Sequence, residues 1–201
     1  MESLHKTSGA VVFAFLILHL TNHLVGLMGI DAALQFMDAV RLVYRHPVVE
    51  MGLFLALTLQ IITGYALCRD IWTERKDIIH QLQAASGIYM AVFMIVHVAM
   101  IGVARYVFNL DTNAYFIAAQ FQVWPWQYVA YGFYGLAIMA LFTHMGCIAF
   151  DIFKKKNRPA AWVMLLLVVG IGGYVTYLLM AMYGGYLYGI EIPEEYSRFG
   201  T

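Results

Sequence analysis

Long apolar runs separated by short polar segments follow one another along the whole chain. Five of these runs are long enough to cross a hydrocarbon layer about 30 Å thick, which takes roughly 20 helical residues. We predict membrane-spanning helices near residues 9–29, 48–68, 83–105, 126–152 and 160–186. Pro47, Pro125 and Pro159 fall at the starts of the second, fourth and fifth runs, where a missing backbone N–H costs nothing. The pattern predicts an all-α membrane protein that forms one domain over residues 1–201.

One further segment has a different pattern. Residues 31–44 combine charged residues with apolar residues at roughly helical spacing, namely Leu34, Met37, Val40, Leu42 and Val43. This pattern indicates a short amphipathic helix on the outer membrane surface. An ordinary ordered loop is nearly as compatible with the sequence.

The composition agrees with a membrane environment. Hydrophobic residues make up 62% of the chain and charged residues 12%, which excludes an ordinary soluble domain of this length. The formal net charge is zero, so no electrostatic argument favours a nucleic-acid partner, and membrane lipid is the expected surrounding. Cys68 and Cys147 lack CxxC spacing and indicate neither a disulfide framework nor a zinc site.

The basic residues that flank the five runs predict an orientation. Cytoplasmic loops carry an excess of Lys and Arg. Eight basic residues lie on the side of the N-terminus and four on the other side. The N-terminus is therefore expected in the cytoplasm, and the C-terminus on the outer side of a cytoplasmic (inner) membrane. The first group is Lys6, Arg69, Arg75, Lys76, Lys154, Lys155, Lys156 and Arg158; the second is Arg41, Arg45, Arg105 and Arg198.

The most informative motif occurs twice. Ser8-Gly9 is followed ten residues after the glycine by His19, and Ser86-Gly87 is followed at the same distance by His97. Both copies lie in apolar runs that cross in the same direction, and at 1.5 Å per residue each histidine lies about 15 Å into its helix. Two neutral imidazoles at matched depth are what a bis-histidine haem requires. A lone intramembrane histidine is more often hydrogen-bonded to a neighbouring helix, but repetition favours a b-type haem, held without covalent attachment because CxxCH is absent.

A second haem position is suggested nearer the cytoplasm. His144 lies in the fourth run, and if the chain consists of two tandem helix pairs its counterpart in the second run is Gln60. Both residues lie about eight positions from the cytoplasmic ends of their runs. Glutamine is a poor ligand for haem iron, so the sequence leaves open whether this second haem is present.

Other polar residues near these positions have two interpretations each. Arg41, Arg45 and Arg105 could pair with the propionates of the outer haem, or could be ordinary arginines that extend to the membrane surface. His23 and His46 could reach a propionate or replace an axial ligand, or could be interfacial polar residues. His5 and His80 lie at the cytoplasmic interface, either solvated or near a quinone. The glycines at small-residue positions allow close helix packing or leave room for a flat macrocycle: Gly64, Gly146, Gly170, Gly172 and Gly173.

Taken together, several segments of residues 4–152 resemble a known family. LHKTSG is similar to an LHR-x-SG entry to the first helix, with Lys6 in place of arginine, and includes Ser8. FLILHL, LQAASG…IVHV and ALFTHMG are similar to the segments that carry its haem ligands, at His19, His97 and His144. YRHPVVE with LFLALTLQIITG is similar to its second helix, but Gln60 replaces the histidine. The chain thus resembles the single-chain, five-helix, diheme-type cytochrome b anchor of succinate:quinone and quinol:fumarate oxidoreductases.

This resemblance implies a function and a set of partners. The first and third helices, with His19 and His97, would hold the outer haem, whereas His144 has lost its usual partner on the second helix. The protein would be an anchor and electron-transfer subunit, passing electrons between a cytoplasmic flavoprotein and iron–sulfur subunit and a membrane quinone. Dicarboxylate chemistry is not expected in this subunit. A homo-oligomer is compatible with the sequence.

Two alternatives remain open. The missing ligand at Gln60 favours a stand-alone membrane haem protein that acts as a redox relay, a gas or redox sensor, or a haem-handling protein. A transporter or structural membrane protein without haem would leave the repeated Ser-Gly…His motif unexplained.

Overall fold

The computed structural model describes residues 1–74 and 77–197. All regular secondary structure of the described residues is helical. The elements are α1 (Glu2–Val25), a 3₁₀ turn (Gly26–Met28), α2 (Ile30–Tyr44), α3 (Pro47–Thr73), α4 (Ile78–Tyr106), α5 (Ala114–Gln122), α6 (Trp126–Phe153), α7 (Arg158–Tyr183) and α8 (Glu194–Ser197). Arg75, Lys76 and Arg198, which entered the orientation argument, lie outside the described residues.

Within the described residues, five helices are long and apolar enough to cross a membrane, and they confirm the predicted all-α membrane fold. They are α1 with its 3₁₀ turn, α3, α4, α6 and α7. Pro47 and Pro159 lie in the first turns of α3 and α7, and Pro125 directly precedes α6. These prolines mark helix starts because the first helical N–H groups have no intrahelical partner in any case.

Some helix ends differ from the apolar boundaries. α1 begins at Glu2 rather than near residue 9. Its first turns are polar, and the ion pair of Lys6 with Glu2, one turn away, supports the helix there. α4 begins at Ile78 rather than near residue 83. Asp77 caps this start, because its carboxylate accepts hydrogen bonds from the amides of Ile79 and His80. Hydropathy detects the apolar section of a helix and misses such polar turns.

The long helices pack as two consecutive pairs plus a fifth helix. α1 packs against α3 and α4 packs against α6, α3 and α4 join the two pairs, and α7 packs closely on α6. The closest approach of α6 and α7 depends on glycine. A Cβ atom at Gly146 would lie 3.3 Å from the Leu165 carbonyl oxygen, and one at Gly172 would meet Phe142. The first four long helices thus form the predicted bundle of two helix pairs.

Shorter helices lie in the connections at one end of the bundle. Residues 31–44 are helical, as the amphipathic pattern predicted, within α2. Helix α5 was not predicted, because its apolar run is too short to span a membrane. Its signal was Asn113, which caps the helix by accepting hydrogen bonds from the amides of Tyr115 and Phe116.

Candidate functional site

A large cavity runs between the long helices. Its volume is about 1530 Å³, which exceeds the roughly 300–1,000 Å³ of pockets that bind drug-sized ligands. Residues of α1, α3, α4, α6 and α7 line it, and they include the four main ligand candidates His19, His97, His144 and Gln60. The interior of the bundle can therefore hold a ligand larger than a typical small molecule.

His19 and His97 face each other in this cavity. Their ring centroids are 6.2 Å apart and the ring planes are inclined at 69°. With metal–nitrogen bonds of about 2 Å and ring nitrogens about 1 Å from the centroids, imidazoles on opposite sides of one metal ion would be about 6 Å apart. The Nδ1 atom of His97 is buried and has no hydrogen-bond partner among the described residues. The centroid distance is therefore compatible with a metal ion held between the two imidazoles.

The two histidines have matching aromatic neighbours. Phe15 stacks on His19 with ring centroids 5.5 Å apart, and Phe93 stacks on His97 with centroids 5.2 Å apart. Each phenylalanine lies one helical turn before its histidine in the repeated motif, so the contact follows from the spacing of residues i and i+4. The phenylalanine is thus a further shared position of the two copies of the repeated motif.

His23 and Tyr183 connect the His19–His97 pair to α7. The Nε2 atoms of His23 and His19 are hydrogen-bonded at 3.2 Å, and His23 Nδ1 lies 2.7 Å from the hydroxyl of Tyr183, which is buried. Coordination of iron by His19 Nε2 would replace its hydrogen bond to His23. His23 is thus integrated in the site, and Tyr183 is a contributor from α7 that the sequence analysis missed.

His144 is held by the second helix pair. Its Nδ1 donates a hydrogen bond of 3.0 Å to the carbonyl oxygen of Gln83, and the Ser86 hydroxyl lies 3.4 Å from the same nitrogen. A Cβ atom at Gly87 would come within 3.4 Å of the His144 ring. Because a carbonyl oxygen can only accept, Nδ1 carries the proton and Nε2 is left with its lone pair. A backbone partner of this kind is typical of metal-binding histidines.

Gln60 occupies the equivalent place in the first helix pair. The Ser8 hydroxyl donates a hydrogen bond of 2.7 Å to Gln60 Oε1, and a Cβ atom at Gly9 would lie 3.1 Å from Gln60 Nε2. Gln60 therefore meets Ser8-Gly9 as His144 meets Ser86-Gly87. This correspondence matches the tandem-pair interpretation. Ser8 and Ser86 are both buried polar residues.

The amide nitrogen of Gln60 reaches a residue that sequence reasoning had placed at the interface. Gln60 Nε2 donates to His5 Nε2 at 3.1 Å, and His5 Nδ1 lies 3.0 Å from the Thr63 hydroxyl. His5 lines the same cavity as His144. His80 also lines this cavity, and its Nδ1 atom lies 2.9 Å from the Asp77 carboxylate, whereas His46 is an exposed residue that precedes α3.

The three candidate arginines are engaged with carboxylates. Arg41 pairs with Asp111 at 2.8 Å, Arg45 lies 3.6 Å from the same carboxylate, and Arg105 pairs with Glu50 at 3.2 Å. All three are absent from the cavity lining that the described residues form. A role toward haem propionates would require these pairs to open, because within this structure Arg41 and Arg45 join α2 to the α4–α5 connection and Arg105 joins α4 to α3.

The site and the fold together define a class of protein: a multi-pass helical membrane protein with a histidine-lined internal cavity. No group of three or more His, Cys, Asp or Glu side chains within the described residues is arranged to hold a bare metal ion. Comparison of the chain with family models, curated proteins and solved structures finds no match. The assignment of a function therefore depends on the residues themselves.

Proposed function

We propose that the protein binds haem b between His19 and His97 and carries electrons within the membrane. The observation that supports this most directly is the 6.2 Å separation of the two ring centroids inside a cavity of about 1530 Å³. Haem supplies a one-electron carrier when it is bound. His19 and His97 would hold the iron, while Phe15 and Phe93 keep the imidazoles oriented by stacking on them.

The environment of the pair suits this role. Aromatic and aliphatic side chains surround both rings, and Tyr134 makes an edge contact with His97 at a centroid distance of 5.9 Å. Such surroundings would limit the access of water to a bound iron and favour neutral imidazoles, which are the ligating form. Rings fixed on rigid transmembrane helices need little rearrangement when one electron arrives or leaves.

In the full proposal the protein is an anchor subunit of a quinone-linked oxidoreductase of the succinate:quinone type. The N-terminus would face the cytoplasm, and the charged residues at that end of the bundle would dock a flavoprotein and an iron–sulfur subunit. Asp70, Asp151 and Lys154 lie at this end, where Lys154 pairs with Asp151 at 2.7 Å. Quinone would exchange electrons with the haem. The support for this part is the resemblance of the helix motifs.

A stand-alone membrane haem protein is the second candidate. The observation that favours it is the replacement of a ligand by Gln60, whose amide is hydrogen-bonded at both ends by Ser8 and His5. Isolation of the protein from its native membrane separates the two: a stoichiometric flavin-containing complex supports the anchor, and a protein without soluble subunits supports the alternative.

Spectroscopy of the purified protein tests haem binding. Protein from haem-replete cells should show a sharp α-band in the reduced-minus-oxidised spectrum and a low-spin bis-histidine signal. His19→Ala and His97→Ala should each remove the signal of the outer haem, whereas His46→Ala, at an exposed position, should not. A colourless wild-type protein would refute the proposal. If both cavity variants kept the full signal, the assigned ligands would be wrong.

A further inference from the structure

We infer that His5 and His144 are the axial ligands of a second haem in the half of the cavity nearer the N-terminus. The inference builds on the proposed haem-binding function and identifies the imidazole that the second helix lacks. It assigns the ligand to α1, at a residue that the family pattern does not use for this purpose.

The repeat shows where the missing imidazole has gone. Aligning Ser8-Gly9 with Ser86-Gly87 places His5 opposite Gln83, just as Gln60 is opposite His144. In the first pair the histidine is on α1 and the glutamine on α3; in the second pair the glutamine is on α4 and the histidine on α6. Histidine and glutamine have exchanged helices between the two pairs. Each pair therefore retains one imidazole at this end of the cavity.

Both imidazoles have the tautomer that a metal ligand needs. His144 Nδ1 donates to the Gln83 carbonyl oxygen, which leaves Nε2 unprotonated. The Thr63 hydroxyl donates to the Leu59 carbonyl oxygen at 2.6 Å, so it must accept from His5 Nδ1, and His5 Nε2 is likewise unprotonated. A hydrogen bond that fixes Nδ1–H and orients the ring is the usual outer partner of a ligating histidine.

Glycine lies against each of these rings. A Cβ atom at Gly64 on α3 would be 3.2 Å from His5 Cε1, and one at Gly87 on α4 would be 3.4 Å from His144 Cε1. A methyl group at Gly64 would press on the His5 ring, which would have to shift by a few tenths of an ångström. α1 and α6 belong to different helix pairs, and both rings line the cavity between those pairs. A flat macrocycle held by both rings would occupy this shared space.

One group has to move when the haem binds. The amide of Gln60 donates to His5 Nε2, the nitrogen that would coordinate iron. Rotation of this amide exposes the nitrogen, while Thr63 continues to hold the ring through Nδ1. Gln60 thus covers the ligand position before the haem enters, and its removal should not abolish binding.

The haem content of purified variants tests this arrangement. Wild-type protein should contain about two low-spin haems per chain that do not bind carbon monoxide, since both axial positions are filled. His5→Gly should convert one haem to a high-spin form that binds carbon monoxide, or lose it, and leave the outer haem unchanged. Added imidazole should restore the low-spin signal of His5→Gly, a rescue that a merely structural role of His5 would not give. Gln60→Ala should keep both low-spin haems, and His46→Gly is the matched control.

The outcomes separate this inference from the proposed function. A wild-type protein without haem overturns both. Two results would overturn the inference alone. In the first, the protein contains one haem, which is lost in His97→Ala but unchanged in His5→Gly and His144→Ala. In the second, a second haem disappears in Gln60→Ala and persists in His5→Gly. Loss of the low-spin signal in His5→Gly with recovery by imidazole supports it.

Discussion

A single methyl group at Gly172 should separate α6 from α7. A Cβ atom at this position would lie 2.6 Å from Cγ of Phe142 and would also meet the Phe142 Cβ atom. These atoms are at the base of the side chain, so rotation about χ1 and χ2 cannot move Cβ away. The neighbouring Gly170 and Gly173 on the same helix have no atom within 4 Å of such a Cβ position. They are matched controls.

The magnitude follows from two opposing effects. Alanine is favoured over glycine in a helix by roughly 0.5–1 kcal/mol, and this gain applies to all three positions. Overpacking of a close contact costs about 1–3 kcal/mol, and it applies to Gly172 alone. We therefore expect Gly172→Ala to lower the free energy of unfolding by about 1–2 kcal/mol, while Gly170→Ala and Gly173→Ala leave it unchanged or raise it by up to about 1 kcal/mol.

Unfolding of the purified protein in detergent, followed by helix content and by size-exclusion elution after heating, measures the difference. Gly172→Ala should unfold at a temperature several degrees below both controls, at about 2–4 °C per kcal/mol. The His19–His97 pair lies on α1 and α4, so the spectral contribution of a haem held by this pair should be that of wild type in the folded variant. Equal unfolding temperatures for the three variants would show that α6 and α7 do not pack through Gly172.

Two further predictions concern the ends of the bundle. Burial alone would raise the pKa of Asp111, but the hydrogen bond and charge of Arg41, with the charge of Arg45, outweigh this and lower the pKa below its ordinary 3.8. The stabilisation of the folded state by Asp111 is therefore complete above pH 3.8 and is lost as the pH falls below it. Asp111→Asn should lower the free energy of unfolding by about 1 kcal/mol at neutral pH. Asp38→Asn, which removes a more exposed carboxylate, should lower it much less in the same unfolding assay. Glu2→Cys and Ser197→Cys should react with an impermeant thiol reagent from opposite sides of the membrane, the first from the cytoplasm. Labelling of both from one side would refute an odd number of crossings.

Much of the fold is determined by local sequence properties. A helix that crosses a membrane must be apolar over its length, since its backbone has no water to bond with, so hydropathy alone located all five long helices. The proline positions marked helix starts for an equally local reason. The repeated Ser-Gly…His motif also placed His19 and His97 on parallel helices at one depth. The polar first turns of α1 and α4 were missed because hydropathy does not register them.

Contacts between distant residues depended on the tertiary structure. Only the packing of α1 on α3 brings His5 to Gln60 and Thr63, and only the approach of α7 brings Tyr183 to His23. The sequence by itself determined which helices form and which residues share a depth, because both follow from spacing along one helix. The tertiary structure decided which polar side chains meet across the cavity, because that depends on the rotation of each helix about its axis and on the glycines that set its distance from its neighbours.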